Sequence, residues 1–195
     1  MKTIFEFVEQ YIELTDEDKK IIIANNREKF FKKNEIIKNF NDPFKENFFV
    51  LSRCVCLSYQ YLDYTNVSDF FFSGDPILIP MNESNQATLY QLRSITDTKL
   101  AISNDFQTEI LIKKLPKFES VCRQFAERKL SEKIFFTDKI KSLSPLEKYK
   151  FIFENRRQLV NQVPQHLLAS YLGMTPETLS RVRKLFTTND IDLNQ

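Results

Sequence analysis

Glu177 and Arg181 are the residues best placed to act on another molecule, and the chemistry they suit is recognition rather than bond-making. Four residues apart on a helix, a carboxylate and a guanidinium lie side by side on one face. A guanidinium can fork onto O6 and N7 of guanine, and a carboxylate can accept from the amino group of cytosine or orient the Arg beside it. Ser180 shares that face. Thr175, Thr178, Arg183 and Lys184, with Gln165 and His166 upstream, are types that contact phosphates; such contacts set register but carry little sequence information. The same Glu177–Arg181 spacing also suits a surface ion pair stabilising its own helix by about 0.3 kcal/mol.

These residues need two short helices and a tight reversal to present them. The segment 163–185 reads VPQHLLASYLGMTPETLSRVRKL. Leu167, Leu168, Tyr171 and Leu172 have helical spacing. Gly173 then sits where a helix must stop and the backbone needs a positive φ. Thr175 can accept from the orphan amides of a second helix, and Pro176 falls at its first position, where a missing N–H costs nothing. That second helix is expected to bury Leu179, Val182 and Leu185. This is the grammar of a helix-turn-helix, a device for placing one helix in a DNA major groove.

Upstream, Ser144, Pro145 and Glu147 form a capping box with Pro at the first helical position, marking a boundary near residue 142. The helix it starts is expected to run to about Arg156 and to bury Leu146, Tyr149, Phe151 or Ile152, and Phe153. Three helices would complete the C-terminal domain. From Lys117, the residues Phe118, Val121, Cys122, Phe125, Leu130, Ile134 and Phe135 keep helical spacing for about six turns. One edge of that stripe is expected to pack on the N-terminal domain. The other is expected to meet a second copy of the chain, with Phe118, Val121, Cys122 and Phe125 at the interface.

The N-terminal part changes period. Ile4, Phe7, Val8, Tyr11 and Ile12 mark a helix over 3–14, and Thr15 followed by three acidic residues starts another ahead of Ile21, Ile22 and Ile23. From about Arg27, aromatic and β-branched runs at Phe30–Phe31, Ile36–Ile37, 48–51, 55–61, 67–72, 87–95 and 98–103 read as strands. Turn residues separate them at 39–45, 62–66 and 80–86. The pattern predicts an antiparallel unit of roughly eight short strands, and the period switches again near Asp105.

Charge and composition narrow the function classes. Formal net charge is +2, but residues 1–116 carry 14 Lys+Arg against 17 Asp+Glu, whereas 117–195 carry 14 against 9. The helix-turn-helix half is therefore the positive one. No glycine-rich phosphate loop, nucleophile elbow or His–carboxylate constellation occurs, and with one His and two Gly no enzyme activity is expected. Cys54, Cys56 and Cys122 are too few for a four-cysteine cluster, and the lone His166 lies in the terminal segment, so neither metal nor other cofactor is expected. The N-terminus is amphipathic and acidic, and no run of about 18 apolar residues exists. A reducing cytoplasm with free thiols is the expected compartment, without membrane contact.

A β unit, a long helix and a terminal helix-turn-helix, in that order, resemble the Crp/Fnr family of bacterial transcription regulators. The segment from Pro164 to Lys184 is similar to that family's DNA-binding helices almost position for position. The resemblance implies an α+β fold: an N-terminal cyclic-nucleotide-binding-like β-roll with its helices over 1–116, a dimerisation helix over 117–142, and a winged-helix-like domain over 143–195. It implies a homodimer on a pseudo-palindromic operator in double-stranded DNA, contact with RNA polymerase, Glu177, Ser180 and Arg181 on the bases, and Gln165, His166, Thr175, Thr178, Arg183 and Lys184 on phosphates. Some members carry an Arg immediately before that Glu, where this chain has Pro176. The family's nucleotide pocket would lie at 70–90, where Phe72, Gly74 and Asp75 stand in for a Phe-Gly-Glu segment. No Lys or Arg occurs between Arg53 and Arg93, which leaves a cyclic nucleotide phosphate without a cation, so cyclic AMP is not the expected effector and the effector is unassigned. The alternative is a small-molecule-binding or interaction protein whose helix-turn-helix is vestigial.

Overall fold

A computed structural model describes every residue except Phe44, Asp63, 81–88 and 193–195. The chain divides into two compact units, Met1–Arg128 and Lys129–Gln195. The division falls inside one long helix.

The first unit opens with helices α1 (Lys2–Val8) and α2 (Asp16–Ala24). Helix α1 is shorter than the apolar pattern predicts. Beyond Val8 the chain closes with i→i+3 bonds, from Gln10 N–H to the Phe7 carbonyl (3.2 Å) and from Tyr11 N–H to the Val8 carbonyl (3.0 Å). Tyr11 and Ile12 nevertheless pack on the same core as Ile4, Phe7 and Val8. Strands β1 (Arg27–Phe31), β2 (Ile36–Lys38), β3 (Glu46–Ser52), β4 (Cys54–Tyr61), β5 (Tyr64–Phe72), β6 (Tyr90–Ser94) and β7 (Thr98–Asn104) follow. Seven strands thus lie among the described residues, against the eight expected, and most of the turn expected at 80–86 lies outside them.

The strands form two antiparallel sheets, β1–β7–β3 and β2–β6–β4–β5. Arg53, at φ 69°, is the single residue between β3 and β4, and this left-handed bend lets the chain leave one sheet for the other. Side chains alternate across a strand, and β3 uses both faces. Phe48 and Val50 join Phe31, Val55, Leu57, Leu92, Leu100 and Ile102 in one core. Phe49 and Leu51 join Ala101 in a second core, covered by helices. Helix α3 (Asp105–Lys114) supplies Leu111 to that second core, and α4 (Lys117–Ser142) supplies Val121 and Phe125. Phe7 meets the Phe49 and Phe125 rings edge to face, at centroid distances of 5.5 and 5.2 Å.

One cation ties α4 to the N-terminal helices. Lys117 Nζ donates to the Asp18 carboxylate and to the Glu13 carbonyl, both at 2.8 Å. Asp18 also closes a capping box with Thr15, its carboxylate accepting from the Thr15 N–H at 2.9 Å. The Lys117 hydrogen bond, followed by that from Thr15, holds the Asp18 carboxyl below its ordinary value.

The second unit contains the end of α4 and four further helices: α5 (Pro145–Asn155), α6 (Arg157–Gln162), α7 (Gln165–Tyr171) and α8 (Pro176–Asp192). Ser144 caps α5 as expected, the Ser144 N–H reaching the Glu147 carboxylate at 2.8 Å. Tyr149 and Ile152 are the buried residues of α5, while Leu146, Phe151 and Phe153 are half-buried. The core gathers these two with Leu159, Leu168, Ala169, Leu172, Leu179 and Val182. Sequence reasoning expects three helices here; α6 is the additional one, anchored by Leu159. Leu185, expected inside, is 50% exposed. Phe186 takes the inward place, four residues after Val182, and its ring meets Phe153 at 4.9 Å and Tyr149 at 5.4 Å. No strand occurs among the described residues of this unit.

Two outcomes test this arrangement. Because the folded Asp18 carboxyl lies below its unfolded value of about 3.9, the stability it contributes is present above that value and is lost as pH falls through the folded one. Lys117→Met should raise the Asp18 value in an NMR titration. It should also lower stability at neutral pH, with the difference from the parent shrinking as pH falls through the folded Asp18 value. Ser144→Ala removes a helix cap and should destabilise the C-terminal unit by about 1 kcal/mol in urea unfolding, with the Glu147 carboxyl, now held low chiefly by the Ser144 hydroxyl, rising toward normal.

Candidate nucleic-acid interface

The interface is built on the reversal between α7 and α8. Gly173 has φ +65° and no atom within 4 Å of where a Cβ would sit, so backbone handedness rather than space selects glycine there. The turn is closed by Gly173 N–H to the Ser170 carbonyl (3.1 Å) and Met174 N–H to the Ala169 carbonyl (3.0 Å). Lys148, from α5, donates to the Leu172 carbonyl at 3.2 Å, placing a cation at the negative end of α7. Thr175 then starts α8, its hydroxyl accepting from the Thr178 N–H at 3.2 Å, with Pro176 at the first helical position.

The rear of α7 is held by aromatic and cationic contacts. Tyr171 stacks on Phe136 from the end of α4, with centroids 5.3 Å apart and planes 24° apart. The Arg156 guanidinium lies 5.7 Å from the centres of both rings and donates to the Tyr171 hydroxyl. Leu168, Ala169 and Leu172 turn inward, as do Leu179 and Val182 of α8. Burial of these residues fixes which face of α8 is left to solvent.

That face is the one the sequence singles out. Glu177 and Arg181 are exposed and Ser180 is half-buried. With Gln165, His166, Pro176 and Lys184 they line an open concavity of about 660 Å³. No ion pair joins Glu177 to Arg181 among the described residues, so the alternative surface-pair reading of the spacing is not the arrangement adopted. The Glu177 carboxyl is held below its ordinary value by its own backbone amide and then by the Thr175 hydroxyl. Thr178 is half-buried and joined to Thr175, while Arg183 and Lys184 are exposed farther along α8. Gln165 and His166 sit at the start of α7, on the rim of the same concavity.

The other sequence-singled residues lie elsewhere. Val121 and Phe125 are buried in the chain's own second core, Phe118 packs against that core, and only Cys122 of that group is exposed. The large apolar residues that α4 leaves to solvent are Leu130, Ile134 and Phe135. Phe72 is buried, and Gly74 and Asp75 form a tight turn in which the Asp75 carboxylate accepts from the Phe72 N–H at 2.9 Å. Cys54 and Cys56 are buried, and burial pushes the Cys56 thiol up to about 11. No cluster of three potential metal ligands occurs among the described residues, and no described helix is long and apolar enough to cross a membrane.

No family model matches the chain, and no curated protein is similar to it in sequence. Solved structures are similar in shape. The c-di-GMP responsive global regulator CLP of Xanthomonas campestris superposes with a TM-score of 0.68 at 16% identity, covering 90% of this chain and 93% of its own. FixK2 of Bradyrhizobium japonicum gives 0.68 at 20% identity, with coverage of 85% and 86%. A CooA variant from Carboxydothermus hydrogenoformans gives 0.67 at 17%, with coverage of 96% and 86%. A two-sheet N-terminal unit, a 26-residue helix and a terminal helix-turn-helix follow one another in a Crp/Fnr-like fold, the fold this chain shares with these solved structures.

Proposed function

We propose that this chain is a sequence-specific DNA-binding transcription regulator that works as a homodimer. The observation that carries the reading is the outward face of α8, where Glu177 and Arg181 stand exposed at the end of the helix that enters a major groove first. Arg181 forks onto a guanine, and the ionised Glu177 accepts from a cytosine amino group or aligns Arg181. Ser180 adds a third base-edge contact. Gln165, His166, Thr178, Arg183 and Lys184 hold phosphates on either side. Thr175, whose hydroxyl already serves as the helix cap, contributes through its position.

Dimerisation through α4 places two such faces about 34 Å apart, in successive major grooves of a pseudo-palindromic site. With Val121 and Phe125 committed to the chain's own core, Leu130 and Ile134, one helical turn apart, and Phe135 form the exposed apolar edge available to a partner helix. Cyclic AMP is not the effector assigned. The stretch between Arg53 and Arg93 brings no cation to a phosphate, and Asp75 is engaged in its own turn.

Selection of bound fragments from a random DNA pool should return inverted repeats with half-site centres about ten base pairs apart. Against the selected sequence, Arg181→Ala should weaken binding about 10–100-fold while leaving helix content unchanged by circular dichroism. Equal affinity of parent and variant for that sequence at moderate salt would remove Arg181 from the base-reading role.

A further inference from the structure

The helices covering the β1–β7–β3 sheet leave a cavity of about 360 Å³ between α1, α2, α3, α4 and the sheet face that carries Phe49 and Ala101. Its body is apolar, walled by Phe7, Phe49, Leu111, Phe118 and Phe125, with Cys122 and Ala126 of α4 along one side. Its polar groups gather where the strands end. The register sets Asn47 opposite Ser103 and Arg27 opposite Ile102, and Asn26, the residue just before β1, joins Ser103 and Asn47 in lining this end. Thr108 adjoins them. Asn47 Nδ2 donates to its hydroxyl at 3.1 Å, the Ser103 hydroxyl lies 3.4 Å from it, and it donates in turn to the Asn104 carbonyl. The Asn26 amide N–H is given to the Ile22 carbonyl. Each amide keeps a second N–H as well as its carbonyl oxygen, so this end offers both donors and acceptors to an uncharged polar group. No charged side chain is among the described walls.

We propose that this cavity binds a small amphiphile with an apolar body of about ten carbons and an uncharged, hydrogen-bonding head such as a hydroxyl. At about 30 Å³ per non-hydrogen atom the space holds roughly twelve. An apolar chamber of this size favours such a body over water. A carboxylate or phosphate head would find no cation among these walls to offset its desolvation. The site takes in Pro76 and Leu78, which follow the Phe72–Asp75 turn, and shares no residue with the face of α8.

Straight-chain primary alcohols of six to twelve carbons, titrated calorimetrically into the full chain without DNA, test the assignment. Affinity should rise about fourfold with each methylene and level off near ten or eleven carbons, where the chamber is full. Decanoate should bind at least tenfold more weakly than decanol. Ala126→Trp, a change at an exposed position of α4, should abolish decanol binding with helix content retained. Asn47→Asp, on the exposed rim, should shift preference toward decylamine. No saturable binding at any length, affinity that keeps climbing past twelve carbons, or an Ala126→Trp protein that binds like the parent would overturn the proposal. DNA recognition is not part of the readout, so neither result bears on the regulator reading.

Discussion

The reversal at Gly173 and the Thr175 cap govern what the C-terminal unit can present. A left-handed residue ends α7 within one step, and a hydroxyl restarts the chain as α8 two residues later. Those two local events set the rotational phase of α8 relative to the core. Once Leu179 and Val182 are inside, Glu177 and Arg181 have no choice but to face outward. The Lys148 contact to the Leu172 carbonyl and the Phe136–Tyr171–Arg156 stack brace the same reversal from behind. The outward face of α8 is thus a by-product of satisfying backbone and core.

In the N-terminal unit the comparable constraint is a sheet buried on both sides. Alternation along β3 sends Phe48 and Val50 one way and Phe49 and Leu51 the other, so neither face can be left to water. The second sheet covers one side. The other needs helices, which explains why α1, α2, α3 and the first half of α4 converge there. Rods laid over a twisted surface do not fill it uniformly, and the chamber beside Phe49 is the residual space.

Local rules were readable residue by residue. Two of the three capped helix starts, at Thr15 and Ser144, announce themselves in four residues, whereas the Asn104–Gln107 box shows only as a change of period near Asp105; the Gly-x-Thr-Pro spacing marks the turn that presents Glu177 and Arg181. Features decided by tertiary competition were less legible. Helix α6 has no side-chain cap and only Leu159 fully inside, so its signal is too short to separate from a loop. Leu185 and Phe186 are adjacent apolar residues, and only the aromatic pocket of Tyr149 and Phe153 decides which turns in. The stripe on α4 shows that something covers it without saying what; Val121 and Phe125 go to the chain's own core. The chamber is assembled from strands and helices far apart in the chain and leaves no contiguous motif.

The scarcity of glycine has a consequence for redesign. The chain contains two glycines, and both have positive φ, Gly74 at 96° and Gly173 at 65°. Asn34 and Asn41 fill comparable left-handed positions at 66° without glycine. Asparagine is the tolerated substitute at such angles, which makes the Gly173 position, at 65° and in open space, conditionally replaceable. Gly74, some 30° further round, falls outside the basin that any side chain occupies comfortably. A library that randomises both would therefore admit asparagine beside glycine at the first and glycine alone at the second.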